Sequence, residues 1–145
     1  MAGTRTTEYA VRALVALALG GDSGQVKQAA ALAQMSGTPA KFLEQVLRSL
    51  RKGGFVKSRR GAGGGYELAR SAETIRMSEV VAWMEGDTEP SSGRRGDVLG
   101  EEWFRIKAQS ELAAQAVLAS ENLAKLLEKV KVRGAAKGKL GEYQI

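Results

Sequence analysis

The sequence of 145 residues contains no cysteine and no histidine. These absences exclude disulfide bonds, thiolate metal sites, iron–sulfur clusters held by thiolates of this chain, and acid–base catalysis by imidazole. A metal ion would need carboxylate or backbone oxygens alone. The sequence also lacks a paired-carboxylate motif and a nucleophile elbow. We therefore predict that the protein is not an enzyme and has no metal or cluster as a cofactor.

Long hydrophobic runs are also missing. The longest apolar stretch, residues 13–19, has seven residues, whereas a membrane-spanning helix needs about 20. The first residues, MAGTRTTEYA, do not join a basic start to a long apolar segment, as a secretory signal does. We expect a soluble, cytoplasmic protein with no membrane partner.

The composition that is present is typical of a globular protein, with 43% hydrophobic and 26% charged residues. A chain of this length can form one compact core and an extended element for association. Its net charge of +6 favours a polyanionic partner, either nucleic acid or an anionic membrane surface. Charge alone does not distinguish between these partners.

Three helices are predicted before residue 53. Each has apolar residues at helical spacing and ends at glycine or at a turn. The first is capped by Thr6 or Thr7, and the third opens with Thr38 as the cap and Pro39 in the first helical position. The second covers residues 26–34, and the third covers residues 39–52.

The third predicted helix is amphipathic. Its apolar stripe consists of Leu43, Val46, Leu47 and Leu50, and its other face carries Lys41, Glu44, Gln45, Arg48 and Lys52. Long polar side chains on an exposed helix face can reach base edges in the major groove of DNA. Glu44 has two interpretations that we weight equally: an ion partner of Arg48 one turn away, or an acceptor for a cytosine amino group.

Two short strand-like segments, residues 55–58 and 65–69, follow this helix and are joined by the basic, glycine-rich segment 59–64. This pattern predicts a β-hairpin whose arginines reach phosphates or the minor groove. Between Pro39 and Arg60, seven basic residues stand against one acid, which places a local charge of +6 here. The seven are Lys41, Arg48, Arg51, Lys52, Lys57, Arg59 and Arg60.

The C-terminal half begins with a fourth predicted helix, from the cap Ser78 to Gly86. Residues 87–100 form a predicted loop, residues 101–132 a long dimerisation helix, and residues 133–145 a flexible basic tail. The long helix has a heptad seam of Leu112, Ala116, Ala119, Leu123, Leu126 and Val130. Because a small domain cannot cover so long a helix, we favour dimerisation over packing against its own subunit.

Together, these elements predict a mainly α fold with a small β-hairpin wing. Residues 1–86 are expected to form a winged helix-turn-helix DNA-binding domain, followed by the long C-terminal dimerisation helix. The expected partners are double-stranded DNA and a second copy of the chain.

Four segments resemble the Rrf-two (IscR-like) family of winged helix-turn-helix transcription regulators: YAVRALVALA, TPAKFLEQVLRSLRKGGFVKS, RRGAGGGYELAR and IRMSEVVAWMEG. The resemblance covers roughly residues 6–86. It implies a homodimeric regulator, usually a repressor, whose long C-terminal helices cross and which binds a palindromic operator. It also implies DNA contacts by Thr38, Lys41, Glu44, Gln45, Arg48 and Lys52 in the third helix, and by Arg59, Arg60, Gly61 and Gly63 in the wing.

The sequence departs from this family in the predicted loop. Many members have three cysteines there, which hold an iron–sulfur cluster or sense oxidants, whereas this chain has DTEPSSGRRGDVLGEEW. It therefore resembles a cysteine-free branch, for which we expect no cluster. A small-molecule effector or a regulatory protein would then set DNA affinity, or binding would be constitutive. Trp83 and Trp103 have two interpretations: packing at the junction between the domain and the long helix, or lining a ligand pocket.

A second functional hypothesis is a winged-helix protein-interaction module whose basic face binds an acidic protein. Both hypotheses predict binding that weakens with salt, so only sequence selectivity for DNA separates them.

Overall fold

The computed structural model describes residues 4–19, 26–86 and 96–136. Within these ranges the chain forms six α-helices, one 3-10 turn and one two-stranded antiparallel sheet. In chain order the elements are α1 (Thr4–Ala18), α2 (Ala29–Ser36), α3 (Ala40–Lys52), β1 (Val56–Arg59), β2 (Gly65–Leu68), the 3-10 turn (Ala72–Thr74), α4 (Met77–Glu85), α5 (Val98–Ser120) and α6 (Leu123–Ala136).

Helix α1 is the centre of the fold and contacts α2, α3, α4 and α6. Its apolar residues recur at helical spacing, and Ala10, Ala13 and Leu14 are completely buried. The prediction that Thr6 or Thr7 caps this helix is wrong, because the helix already begins at Thr4. Thr7 lies inside it, and its buried hydroxyl donates to Glu85 Oε1 of α4 at 3.2 Å.

The start of α2 also differs from the prediction, since the helix begins at Ala29 and not at residue 26. The reason is that Lys27 pairs with the sheet: its N–H donates to Tyr66 O and Tyr66 N–H donates to Lys27 O, both at 2.8 Å. This extended pairing is incompatible with helix. The helix ends at Ser36, and Gly37 follows in the left-handed conformation with φ 65°.

Helix α3 covers the predicted span to within one residue and packs its apolar stripe on α1 and α2. Leu43, Leu47 and Leu50 are fully buried there. The cap differs from the prediction, because Pro39 occupies the N-cap position and no side chain caps the helix. The antiparallel sheet follows, with Val56 opposite Leu68, Lys57 opposite Glu67, Ser58 opposite Tyr66, and Arg59 opposite Gly65.

The single long C-terminal helix predicted for residues 101–132 is wrong: the structure has two helices, with a break at Glu121 and Asn122. Backbone hydrogen bonds to the segment before α4 replace helical ones at the break, from Met77 N to Glu121 O at 2.9 Å and from Leu123 N to Ile75 O at 2.8 Å. The Asn122 side chain then caps α6 by accepting from Lys125 N at 2.9 Å.

This break divides the predicted heptad seam. Leu123 is fully buried in the core of its own chain, and Leu126 and Val130 pack against that core. For these three residues the alternative of packing on the same subunit is correct. Leu112, Ala116 and Ala119 lie exposed on α5.

The remaining C-terminal predictions differ in their boundaries. Helix α5 begins at Val98, where Asp97 caps it by accepting from Gly100 N at 2.6 Å, so the predicted loop ends before residue 100. Helix α6 continues to Ala136, so residues 133–136 are helical rather than part of a flexible tail. The loop prediction for 87–95 and the tail prediction for 137–145 fall outside the described residues. None of the helices in the described ranges is long and apolar enough to cross a membrane.

Candidate nucleic-acid interface

The outer face of α3 presents a row of polar side chains to solvent. Lys41, Glu44, Gln45, Arg48 and Lys52 are all exposed, because the opposite stripe of leucines and valine fixes the rotation of the helix against α1 and α2. Lys41 lies over the neighbouring Phe42 ring, 5.8 Å from its centroid. The structure therefore brings five of the predicted contact residues together on one helix face.

Glu44 and Arg48 form no ion pair with each other in the part of the chain that the structure describes. Both side chains are exposed and extend from the same face. This favours the second of the two interpretations of Glu44, in which its carboxylate is free to accept a hydrogen bond from outside the protein.

Thr38 does not belong to this exposed row. It is 4% exposed, its hydroxyl has no hydrogen-bond partner among the described residues, and its N–H donates to Ala33 O at 3.2 Å. The residue closes the turn between α2 and α3. Its side chain is held inside the protein, which does not fit a contact with a base, and we leave it out of the candidate interface.

The wing arginines have different surroundings. Arg59 Nε donates to Glu67 Oε1 at 3.1 Å, and Lys57 Nζ lies 3.4 Å from the same oxygen. Glu67 is almost completely buried, whereas both cations are more than half exposed. Arg60 is exposed and has no ion-pair or hydrogen-bond partner in the described part of the chain. The buried carboxylate thus holds Arg59 in place and leaves Arg60 free at the tip.

The glycines at the wing tip differ in what they require. At Gly61 φ is 106°, which favours glycine, whereas a Cβ on Gly63 would meet nothing within 4 Å. The close contacts are at the next two positions. A Cβ would lie 2.3 Å from Arg59 O on Gly64 and 2.4 Å from Lys27 O on Gly65. The glycines that the sequence suggests for a tight wing tip, residues 63–65, thus include the two with close backbone contacts, whereas Gly61 and Gly63 were selected as DNA contacts and remain a prediction in that role.

Two further contacts fix the wing relative to the body of the protein. Arg51 of α3 donates from Nη1 to Ser58 Oγ of β1 at 3.3 Å. Lys27, whose backbone pairs with β2, donates from Nζ to Ala16 O at 2.8 Å and also to Leu17 O and Leu19 O at the end of α1. Its partial burial lowers the pKa of Lys27. The wing is therefore tied to both α1 and α3.

Sequence reasoning missed Glu67 and Lys27. The signal for Glu67 was present: an acid two residues into a predicted strand, beyond a run of arginines, can pair across the hairpin. Lys27 had a weaker signal, as a cation that follows the predicted end of the first helix in the sequence, where it can complement free helix carbonyls.

Trp83 and Trp103 are not brought together in one pocket. Trp83 Nε1 donates to Ser49 O at 2.9 Å, and its ring packs on Gly53, where a Cβ would lie 2.8 Å away. It lines a shallow groove whose lining does not include Trp103. Trp103 is 59% exposed on α5. These contacts of Trp83 are with the end of α3 inside the DNA-binding domain, and none of them is with the long helix, so the junction-packing interpretation stays a prediction.

All seven basic residues between Pro39 and Arg60 are exposed. Five lie on or beside the outer face of α3 and the wing tip without an acidic partner in the described ranges, while Lys57 and Arg59 share Glu67. An exposed polar helix face followed by a basic hairpin is the arrangement in which the helix enters the major groove and the cations of the hairpin reach the flanking phosphates.

Comparison with known proteins agrees with this geometry. The model of the Rrf2 family, described as an iron-dependent transcriptional regulator, matches residues 3–138. The chain is 34% identical over 110 residues to an HTH-type transcriptional regulator of Synechocystis, covering 75% of this chain and 74% of that protein. It is 44% identical over 78 residues to the regulator IscR of Cereibacter sphaeroides, covering 53% of this chain and 50% of IscR. The match thus spans about half the length of IscR from Cereibacter sphaeroides.

Solved structures show the same fold. CymR, the global cysteine regulator of B. subtilis, superposes with a TM-score of 0.72 at 28% identity, covering 87% of this chain and 95% of CymR. IscR of T. potens superposes with a TM-score of 0.67 at 29% identity, covering 88% of this chain and 86% of IscR. The predicted winged helix-turn-helix fold is confirmed.

The iron in the family description does not fit the donor set of this chain. The sequence has neither cysteine nor histidine, and the described residues contain no group of three acidic side chains that could hold a metal ion. Thiolate or imidazole ligation by this chain is therefore excluded. The relatives are transcriptional regulators and not enzymes. The matched span, the relatives and the shared fold show that the chain belongs to the Rrf2 family of DNA-binding transcriptional regulators.

Proposed function

We propose that this protein is a sequence-specific transcription repressor that binds a palindromic operator as a homodimer and does so without an iron–sulfur cluster. In this proposal α3 of each subunit reads bases in the major groove, while the wing contacts phosphates or the minor groove. Occupation of the promoter by the dimer would block transcription.

The observation that carries the proposal is the unpaired polar face of α3. Lys41, Gln45 and Arg48 are exposed, and no salt bridge within the described ranges engages this cationic face. Side chains engaged with one another would have to exchange those contacts for base contacts, at a cost in free energy. An unpaired row avoids that cost. Gln45 can form a bidentate pair with adenine, and Arg48 can do so with guanine.

The proposed dimer rests on a second surface, the exposed apolar side of α5. Leu99, Trp103, Ile106 and Val117 are 81%, 59%, 56% and 64% exposed. With Ser110 and Ala113 they follow each other at alternating spacings of four and three residues, which places them on one helix face. We name this face the α5 stripe. No residue of α5 is buried within the chain.

The α5 stripe differs from the predicted seam, of which only Leu112, Ala116 and Ala119 lie on α5. Burying one large apolar side chain stabilises an interface by about 1.5–3 kcal/mol before the costs of association. Four such residues in each subunit can therefore sustain a dimer. Two antiparallel or crossed α5 helices of about 34 Å would supply the contact length.

The absence of a cluster is supported by the donor set alone, because no residue of the sequence offers a thiolate or imidazole. DNA affinity in such a chain must respond to another signal or to none. A small-molecule effector is consistent with the fold.

The test is selection of DNA fragments from a random pool by the purified protein, followed by affinity measurement by fluorescence anisotropy. We expect enrichment of an inverted repeat with half-sites about 10 base pairs apart or a multiple of this. Gln45→Ala should relax preference at one base of each half-site by about 1–3 kcal/mol. Gln34→Ala, an exposed glutamine on α2, is the matched control and should leave the preference unchanged.

Two outcomes would contradict the proposal. A folded protein that enriches no sequence would favour the protein-interaction hypothesis, with an acidic protein as the partner. An enriched sequence without inverted symmetry would contradict the homodimer on a palindrome while leaving DNA reading intact.

A further inference from the structure

A pocket of about 290 Å³ lies between α1, α2 and α6. We name it the α1–α2–α6 pocket. Its wall is mostly apolar and is formed by Val11, Val15, Ala16, Leu19, Met35, Leu126 and Val130. The pocket opens to solvent, and its volume is close to the lower end of the range for small-ligand sites.

Two polar residues complete the lining, Arg12 and Ser36. Ser36 is 6% exposed, and its hydroxyl has no hydrogen-bond partner in the described part of the chain. A buried hydroxyl without a partner loses about 1–3 kcal/mol relative to a satisfied one.

Arg12 places a cation at the rim of the same pocket. Its Nε donates to Glu8 Oε1 at 3.0 Å, and its Nη1 donates to Ser36 O at 3.1 Å. Its Nη2 has no partner among residues 4–19, 26–86 and 96–136. Half of the side chain is exposed. The guanidinium therefore retains a free donor at the rim of the apolar pocket.

From this juxtaposition we infer that the α1–α2–α6 pocket binds a small amphipathic carboxylic acid. The apolar body of the ligand lies among the valines and leucines, and its carboxylate accepts a hydrogen bond from Arg12 Nη2. Among the described residues of the lining, Arg12 is the one that carries a charge, so an anionic head is favoured over a cationic one. The apolar wall disfavours sugars and nucleotides, whose polar groups would be left unpaired.

The location also gives the ligand a route to the DNA-reading helix, and this part of the inference rests on the proposed DNA-binding function. Ser36 ends α2, and Gly37 and Thr38 form the turn into α3. A carboxylate on Arg12 Nη2 acts on the same guanidinium whose Nη1 holds the Ser36 carbonyl. Reorientation of this guanidinium by the ligand would alter the contact that fixes the end of α2 to α1, and with it the turn into α3. Reciprocal coupling follows, so that DNA binding would change ligand affinity by the same factor.

The binding test uses full-length protein labelled with carbon-13 in its four methionine methyl groups. Octanoate is titrated, with 1-octanol as the neutral probe of matched tail. Met35 lines the pocket and is 6% exposed, while Met77 and Met84 are internal controls outside it. We expect a saturable shift of the Met35 methyl resonance with octanoate and a dissociation constant at least tenfold weaker for 1-octanol.

Variants identify the carboxylate contact. Arg12→Gln should weaken octanoate at least tenfold and leave 1-octanol within twofold, whereas Arg12→Lys should retain part of the preference. Arg5→Gln, an exposed arginine on the same helix, is the matched control and should change neither. Val130→Trp, at a half-buried wall position of α6, should fill the pocket and block both probes.

Three results would overturn the inference. One is a Met35 resonance that does not shift with either probe. Another is equal affinity for the acid and the alcohol, and the third is an Arg12→Gln variant that binds octanoate as the wild type does.

The regulatory part has its own test. Saturating octanoate should change the affinity of the protein for the selected operator at least threefold in the wild type but not in Arg12→Gln. Unchanged affinity in the wild type would overturn the regulatory part, whereas normal operator binding in every variant would leave the proposed DNA-binding function standing.

Discussion

Arg59 and Arg60 are adjacent in the wing, but only Arg59 is engaged by the buried Glu67 carboxylate. Replacing each by alanine therefore separates attraction for DNA from stability of the fold. Arg60→Ala removes a cation with no intramolecular partner in the described ranges, so we expect the free energy of unfolding to change by less than about 0.5 kcal/mol. The loss should instead be seen in DNA binding.

The magnitude for Arg60→Ala follows from counterion release. Each phosphate contact contributes about 0.9 to the slope of log K against log salt, so a dimer that loses two contacts should lose about 1.8 from its slope. At about 0.1 M salt this corresponds to a loss of affinity of up to roughly 60-fold. The loss should be similar for the operator and for random DNA, because phosphate contacts carry no sequence information.

Arg59→Ala should behave differently. It removes the nearer partner of Glu67, whose second oxygen already has no hydrogen bond in the described part of the chain. Lys57 remains 3.4 Å away and Arg59 is itself largely exposed, so the stability loss is screened and should be about 1 kcal/mol. The slope of log K against log salt should fall by less in Arg59→Ala than it does in Arg60→Ala.

The assay combines fluorescence anisotropy at several salt concentrations with urea unfolding of each variant. Arg5→Ala on α1 is a control for loss of one exposed arginine away from the wing. The reasoning is refuted if Arg60→Ala keeps the wild-type slope, or if Arg59→Ala lowers the slope more than Arg60→Ala while its stability is unchanged.

The remaining predictions concern the wing turn, the dimer and the helix break. Gly65→Ala should destabilise the fold by about 1–3 kcal/mol in urea unfolding, because its Cβ would lie 2.4 Å from a backbone oxygen. A Cβ on Gly63 would have no atom within 4 Å, so Gly63→Ala should have little effect. Equal losses of stability in the two variants would contradict this. Ile106→Glu should shift the dimer towards monomer in sedimentation equilibrium, whereas Gln115→Glu, on another side of α5, should not. A dimer that persists in Ile106→Glu would exclude the α5 stripe as its contact surface. Asn122→Ala should reduce unfolding free energy by about 0.5–2 kcal/mol through loss of the α6 cap, while Asn122→Asp should retain most of it.

The DNA-binding part of the fold could be predicted from the sequence because its signals are local. The apolar residues of α3 recur at helical spacing throughout, and the hairpin consists of two strands around a glycine-rich turn. Each of these signals determines its element without reference to distant residues. The five exposed residues of the α3 face follow from that period alone. The predictions that failed in this region concern helix caps and helix starts. Thr38 is buried and does not cap α3, and α2 begins later than predicted because Lys27 pairs with Tyr66.

The C-terminal part could not be predicted as well, because its decisive contacts are distant in sequence. A heptad pattern that runs through Leu123 predicts one helix, and only the bonds from residues 75 and 77 show why the chain breaks there. Asn122 was a local sign of a new helix, but apolar periodicity across it was stronger. The exposed α5 stripe begins at Leu99, which lies in the segment predicted as loop, so its first turn was not included in the seam.

The helix break also determines how a dimer would present its two reading helices. Helix α5 ends where Glu121 accepts from Met77 N and Leu123 donates to Ile75 O, and residues 76 and 122 pair between these bonds. The C-terminal end of α5 is therefore fixed to the segment that opens α4, and α4 packs on α1, which in turn supports α3. If α5 forms the dimer contact as proposed, the distance between the two α3 helices is set by this rigid chain of contacts and not by a linker. Since half-sites must match that distance along the groove, the junction at residues 121–123 would determine the operator spacing although it touches no DNA.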